Sequence, residues 1–93
     1  MSNSINYDAV SFAIRSKFRK IALKALADGP ATPSDIEKRT ETDIAHISRA
    51  LGELRERGLV ELLVSEDTRK GRFYGLTDEG YAVADVVQER DQA

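Results

Sequence analysis

Cysteine and tryptophan are absent from the 93 residues of the sequence, and histidine and methionine occur once each. Without cysteine, the chain has no disulfide, no thiolate nucleophile and no cysteine-based metal site. A single histidine cannot build a multi-histidine centre. No nucleophile–base pair or phosphate-binding glycine loop stands out either. We therefore expect no enzyme, no metal and no cofactor.

Long hydrophobic runs are missing too. No window approaches the roughly 18 consecutive apolar residues of a membrane span. The first ten residues, MSNSINYDAV, lack the basic start and the apolar stretch of a signal peptide. We expect a cytoplasmic chain without a membrane segment. Its length allows one domain rather than two, and 41% hydrophobic residues suit a folded globular protein.

Charge is distributed unevenly, although the formal net charge is only −2. Residues 1–27 carry five basic side chains and one acidic, whereas residues 73–93 carry five acidic and one basic. Such a molecule would meet a nucleic acid through local patches rather than through its overall field. The basic cluster at residues 15–24 has two interpretations, a surface for backbone phosphates or the solvated face of an amphipathic helix.

A first helix is predicted over residues 8–27, because apolar side chains recur every three or four positions. The Asp-Gly-Pro sequence at 28–30 ends it. The apolar residues between 10 and 14 also alternate, so an extended start remains an alternative. In that case Ser16 would cap a shorter helix beginning at Lys17. We favour the continuous helix.

Two further helices are predicted over residues 33–39 and 43–57. Thr32 is placed to cap the first, because its hydroxyl can accept from the third amide of the helix, and a proline and an aspartate suit the first turn. The second helix has four residues on its inward face: Ile44, Ile47, Leu51 and Leu54. Gly58 closes this helix.

A β-hairpin and a last helix complete the pattern. Residues 59–65 and 72–76 are β-prone and flank a polar loop that contains glycine. Two residues share a strand face that should be buried: Tyr74 and Leu76. Thr77 caps the last helix, and Gly80 within it is interpreted as a site of close packing or as a frayed helix start.

Several short motifs follow this order of helix, helix, helix, strand, strand, helix. They are Ser48-Arg49-Ala50-Leu51 with Gly58-Leu59-Val60, Lys70-Gly71-Arg72 with Tyr74, and Leu76-Thr77-Asp78-Glu79-Gly80. Over residues 16–87 the chain resembles the small prokaryotic winged helix-turn-helix transcription regulators of the arsenical-repressor-like and multiple-antibiotic-resistance-like group, and most of all its compact archaeal members. The resemblance implies an α+β, mostly helical fold with a three-helix core, a two-stranded β-hairpin wing and a C-terminal helix.

The resemblance also implies a sequence-specific double-stranded DNA-binding transcription regulator. Its recognition helix, at about 43–57, would enter the major groove, and its wing, at 66–72, would contact the backbone or the minor groove. Eight residues are candidate DNA contacts: Thr42, Ala45, His46, Ser48, Arg49, Arg69, Lys70 and Arg72. The alternative is a winged-helix protein–protein interaction module in a larger assembly, for which an apolar or acidic outer helix face is expected.

Helical phase places four of these candidates opposite the apolar face: Thr42, Ala45, His46 and Arg49. Arg49 is the strongest candidate for a base contact, because a guanidinium pairs bidentately with guanine. The alternative for Arg49 is a surface ion pair with Glu53, four residues later. His46 either contacts DNA or is simply solvated, and the wing cations either contact DNA or form a solubilising turn. Phosphates would repel Glu53 and Glu56, so the helix is expected to enter by its N-terminal half.

A homodimer is predicted from the two ends of the chain. The core spans about 16–77, and the segments 1–15 and 78–93 lie outside it. These segments contain six apolar residues: Val10, Phe12, Ile14, Val83, Val86 and Val87. Without cover inside so small a domain, they indicate a partner chain. The alternative is that the two ends pack on each other within one monomer. The sequence identifies no small-molecule effector.

Overall fold

A computed structural model describes residues 6–64 and 71–92 of the chain. In this part of the chain the elements follow in the order α1 (Tyr7–Ile14), α2 (Lys17–Ala27), α3 (Pro33–Thr40), α4 (Ile44–Glu56), β1 (Val60–Leu62), β2 (Tyr74–Leu76) and α5 (Asp78–Gln92). The strands pair as an antiparallel hairpin. The predicted fold class, a mostly helical α+β winged helix, is confirmed. Within the same residues, no helix has both the length and the apolar character needed to cross a bilayer.

The first helical stretch consists of two helices rather than the single helix predicted over residues 8–27. Ser16 lies between them in an extended conformation, and its hydroxyl accepts from the Arg19 amide at 3.3 Å. This local hydrogen bond replaces a helical one, so the continuous helix is wrong and the alternative cap is right. The extended start is also wrong, because the Asn6 side chain caps α1 by accepting from an amide of its first turn at 3.1 Å.

α3 and α4 form the helix-turn-helix, and their ends follow the predicted chemistry. The Thr32 hydroxyl accepts from the Asp35 amide at 3.1 Å, and the Asp35 carboxylate accepts from the Thr32 amide at 3.2 Å. The bond from the Thr32 backbone is the main reason why the pKa of Asp35 lies below its ordinary value. Glu41 ends α3 with a φ of 54°, which turns the chain towards α4. Gly58 closes α4 with a φ of 77°.

The inward face of α4 is largely as predicted. It buries Ile47, Ala50, Leu51 and Leu54. The predicted inward position of Ile44 is wrong, because this side chain is 38% exposed. Ile44 is the first residue of the helix and lines an open groove between α4 and the hairpin, where no element of residues 6–64 and 71–92 covers it.

The hairpin pairs Val60 with Leu76 and Leu62 with Tyr74. Ala31, which precedes α3, extends this small sheet by exchanging two backbone hydrogen bonds with Tyr74, at 3.1 and 3.0 Å. Tyr74 and Leu76 are 9% and 6% exposed, so their predicted burial is confirmed. The bridge fixes the base of the wing against the start of the helix-turn-helix.

α5 closes the fold by packing against α1, α2 and β2. Thr77 caps α5, since its hydroxyl accepts from the Gly80 amide at 3.0 Å. The same hydroxyl donates to the Gly58 carbonyl at 2.7 Å. A β-carbon at position 80 would lie 2.0 Å from the Leu59 carbonyl oxygen, which confirms the predicted close packing at Gly80.

Three of the six apolar residues at the two ends are buried inside one monomer. Val10 and Val83 are each 1% exposed, Val87 is fully buried, and all three belong to one core with α2 and α4. The prediction that these three valines lack cover within the chain is wrong. The break at Ser16 is the reason, because it lets α1 pack against α5 as well as α2.

Candidate nucleic-acid interface

The outer face of α4 is largely exposed to solvent, as a recognition helix requires. Three candidates are exposed where helical phase placed them, Ala45, His46 and Arg49, and the candidate Ser48 is exposed as well. Thr42 is different, because it precedes the helix, is only 8% exposed and donates its hydroxyl to the Thr40 carbonyl at 3.2 Å. The predicted outward position of Thr42 is wrong, since the turn after α3 folds this residue inwards.

Two rows of residues border the outer face. The α2 edge, which faces α2, consists of His46, Arg49 and Glu53. The wing edge, which faces the hairpin, consists of Ile44, Ser48, Gly52 and Arg55. Members of each row are three or four residues apart, so each edge is one continuous line of the helix surface.

Ion pairs tie the α2 edge to its neighbours. Arg49 Nε lies 3.5 Å from Glu53 Oε2, and Arg19 Nε donates to Glu53 Oε1 at 3.0 Å. The hydrogen bond from Arg19, with the nearby charges of Arg19 and Arg49, lowers the pKa of Glu53 below its ordinary value. The pairing that the sequence offered as an alternative for Arg49 is therefore present. Arg49 nevertheless stays accessible, because its side chain is 81% exposed.

His46 has an aromatic neighbour on the same edge. Its ring stacks on Phe18 of α2, with centroids 4.1 Å apart and planes within 7°. The stack orients an exposed imidazole. Phe18 was not among the predicted site residues, because periodicity marks it only as apolar and does not show which side chain of another helix it meets. Within residues 6–64 and 71–92, no group of three or more His, Cys, Asp or Glu side chains could hold a metal ion.

The wing edge borders an open groove of about 710 Å³ between α4 and the hairpin. Ser34, at the start of α3, and Arg72 line other parts of the groove. Apart from its chain neighbours and the backbone of α4, no atom of the described residues lies within 4 Å of the place where a β-carbon of Gly52 would stand, so the backbone of α4 is bare there. Gly52 and Arg55 were not among the predicted site residues. Arg55 nevertheless follows Ser48 by seven residues, the spacing that puts two side chains on one helix face.

The wing is described only near its base. Arg72 is half-buried and lines the groove. The candidates Arg69 and Lys70 lie outside the described residues. The structure therefore places one of the three predicted wing cations beside α4.

The basic side chains of residues 15–24 differ in their exposure to solvent. Arg15 and Lys17 are exposed. The Arg19 side chain is only 18% exposed and is paired with Glu53. The cluster is thus not one uniform surface for phosphates, because at least Arg19 has an internal structural role.

The comparisons with known proteins concern the family and the fold of the chain. The family model described as "HVO_A0261 N-terminal domain" matches residues 7–92. NMB1585, a MarR family regulator from Neisseria meningitidis, has a TM-score of 0.72 and 25% identity, over 95% of this chain and 67% of that one. The adhesin competence repressor AdcR from Streptococcus pyogenes has a TM-score of 0.73 and 12% identity, over 92% of this chain and 67% of that one.

ZitR from Lactococcus lactis has a TM-score of 0.72 and 19% identity, over 83% of this chain and 53% of that one, so the chain spans about half its length. No curated protein matches the sequence. The resemblance that the motifs indicated is confirmed at the level of the fold. The chain has the winged-helix fold of MarR-family regulators, and it belongs to the HVO_A0261 N-terminal domain family.

Proposed function

We propose that the protein is a sequence-specific double-stranded DNA-binding transcription regulator, with α4 as its recognition helix in the major groove. The observation that carries this proposal is the exposed outer face of α4, which has an exposed arginine on each edge, Arg49 and Arg55. The opposite face of α4 is buried in the core, so both arginines stand on a well-anchored helix. A guanidinium pairs with guanine edges as well as with phosphates, and therefore suits either kind of DNA contact.

The acidic residues of α4 favour one way of entering the groove. Glu53 and Glu56 lie in its C-terminal half, where phosphates would repel them if the helix lay lengthwise in the groove. Residues 44–52 contain no acidic side chain. Entry by the N-terminal half therefore brings Ser48 and Arg49 to the bases, and the wing at 66–72 then reaches the backbone or the minor groove.

Occupancy of a promoter is the mechanism we propose. A bound regulator competes with the transcription machinery or assists it, and neither action needs a cofactor. The acidic helix α5 packs against α1, α2 and β2, so its charge is not part of the α4 surface. The proposed place of action is the cytoplasm.

We also propose a homodimer, on grounds other than the valines that are buried within one monomer. A single winged domain reads only a few base pairs, whereas two copies related by a two-fold axis read a pseudo-palindrome. The terminal helices expose three large apolar side chains: Tyr7 at 63%, Ile14 at 37% and Tyr81 at 43%. Sedimentation equilibrium at micromolar concentration should give about twice the chain mass of 10.3 kDa. The mass of a single chain would contradict the dimer.

Selection of bound duplexes from a random pool, followed by a footprint of the selected site, tests the DNA-binding proposal. We expect one enriched motif, and retention on nonspecific duplex that weakens steeply as salt rises. A chain that enriches no motif and is not retained on duplex or heparin at low salt would contradict the proposal. That result would favour the alternative of a protein–protein interaction module.

A further inference from the structure

We propose that Glu53 is a positioning residue for DNA recognition, whose carboxylate is fixed by Arg19 and in turn orients Arg49 for base contact. This inference rests on the proposed function and adds to it. It assigns a part in sequence discrimination to two residues that the DNA itself would not touch, one on α4 and one on α2.

Arg19 is the fixed point of the arrangement. Its guanidinium carbon lies 3.9 Å from the centroid of the Phe12 ring, and Nη1 donates to the Phe12 carbonyl. The Arg57 guanidinium lies 4.4 Å from the same centroid. A cation in contact with an aromatic ring, a backbone carbonyl and a carboxylate has little freedom to move. Arg19 therefore holds Glu53 in a defined place relative to α1 and α2.

Glu53 divides its two oxygens between two arginines. Oε1 accepts from Arg19 Nε at 3.0 Å, and Oε2 lies 3.5 Å from Arg49 Nε. The Glu53 side chain is 34% exposed and the Arg49 side chain is 81% exposed. Glu53 therefore lies at the partly buried base of the α2 edge, and Arg49 lies at its outer surface. A guanidinium has five N–H donors, and a carboxylate at Nε leaves the four Nη donors for a base.

The physical benefit is pre-organisation. A free arginine on a helix surface samples many rotamers, and binding must select one of them at an entropic cost. A carboxylate beside Nε reduces the number of rotamers that Arg49 samples before DNA binds. The cost of placing an acid near phosphates is reduced because Glu53 lies between two guanidinium groups.

The experiment compares Glu53→Gln with wild type on the selected duplex and on duplexes with each base pair replaced in turn. We expect the discrimination at one base pair, the one that Arg49→Ala also relaxes, to fall about threefold. That is part of the roughly 5- to 150-fold preference of a bidentate arginine–guanine pair. Nonspecific affinity should rise, because one negative charge is removed. The matched control is Glu56→Gln, which removes the same charge from an exposed position of α4 and should leave every base preference unchanged.

A double-mutant cycle separates positioning through Arg49 from a purely structural effect. In an Arg49→Ala background, Glu53→Gln should no longer change any base preference, although it should still raise nonspecific affinity. If Glu53→Gln fails to fold, as judged by its thermal melt, Glu53→Asp takes its place. It keeps the charge but withdraws the carboxylate by one methylene, and should lose base discrimination without gaining nonspecific affinity.

Two results would overturn the inference in distinguishable ways. In the first, a folded Glu53→Gln or Glu53→Asp protein keeps the base discrimination of wild type, whereas the Arg49→Ala protein loses it. This would show that Glu53 serves only as the partner of Arg19. A wild-type chain that selects no motif would overturn the proposed function itself, and the inference with it.

Discussion

The two edges of α4 differ in how they are connected to the rest of the molecule. On the α2 edge, Arg49 reaches Arg19 through Glu53, and His46 stacks on Phe18. The wing edge instead borders an open groove of about 710 Å³ and includes a residue with no side chain, Gly52. One helix therefore has one row of side chains that contact α2 and another row that borders open space. The α2 edge suits the reading of bases, and the wing edge suits the close approach of a DNA backbone.

The largest expected effect concerns the buried face that carries both edges. Leu51→Ala should lower the free energy of unfolding by about 2–5 kcal/mol, because it removes buried methyl groups and leaves a cavity. Chemical denaturation monitored by circular dichroism measures the loss. Ser48→Ala, on the exposed wing edge, is the control and should change stability by less than about 0.5 kcal/mol. A nearly unchanged midpoint for Leu51→Ala would show that α4 is rotated from the position described.

The next effect separates the kinds of DNA contact. Arg49→Ala should cost about 1–3 kcal/mol on the selected site and relax preference at one base pair. Arg72→Ala, beside the groove, should weaken binding to all sequences alike and reduce the salt slope by about one. Titrations at several salt concentrations distinguish the two, with Arg90→Ala on α5 as a control cation. If Arg49→Ala keeps full affinity and preference, the α2 edge does not read bases.

Gly52→Ala probes the open edge with a smaller expected change. A β-carbon there meets no atom of another described segment within 4 Å, so alanine should stabilise the fold by about 0.5–1 kcal/mol through its better helix propensity. Gly58→Ala is the matched control. It should destabilise the fold, because position 58 has a φ of 77°. A stabilised Gly52→Ala protein with unchanged DNA affinity would mean that the DNA backbone does not approach the wing edge closely.

The smallest effect is the pH dependence of the α2 edge. The pKa of Glu53 in the folded chain lies below its ordinary value of 4.5. Its ion pairs therefore stabilise the fold above that value, and the stabilisation is lost as the pH falls through the folded-state pKa. The difference in unfolding free energy between wild type and Glu53→Gln should be largest near neutral pH and shrink below about pH 4.5. The pairs are partly exposed, so the change should be modest. A difference that grows on acidification would contradict this assignment.

The features predicted from sequence are those set by neighbouring residues. Thr32, Thr77 and Gly58 act at helix ends as predicted, because a cap needs only the local backbone and one side chain. Alternation along the second strand was enough to place Tyr74 and Leu76 in the core.

The errors and omissions involve contacts between distant segments. The position of α1 depends on α5, far along the chain, and the local sequence pattern does not specify whether α1 continues into α2 or breaks from it at Ser16. Phe18, the partner of His46, and Arg19, the partner of Glu53, both come from α2, and helical periodicity does not specify which residues of two helices meet. Thr42 precedes α4 and Ile44 is its first residue. At this end of the helix, exposure is decided by the neighbouring elements rather than by helical phase.

Gly80 has a consequence for the comparison of related sequences. Any substitution there would place a β-carbon 2.0 Å from the Leu59 oxygen, so chains that keep this junction should keep the glycine. Gly58 lies at the other end of the same junction, linked through the Thr77 hydroxyl. In an alignment of homologues these two glycines therefore mark fixed positions before and after the wing. Insertions and deletions between them can lengthen or shorten the wing without displacing the C-terminal helix.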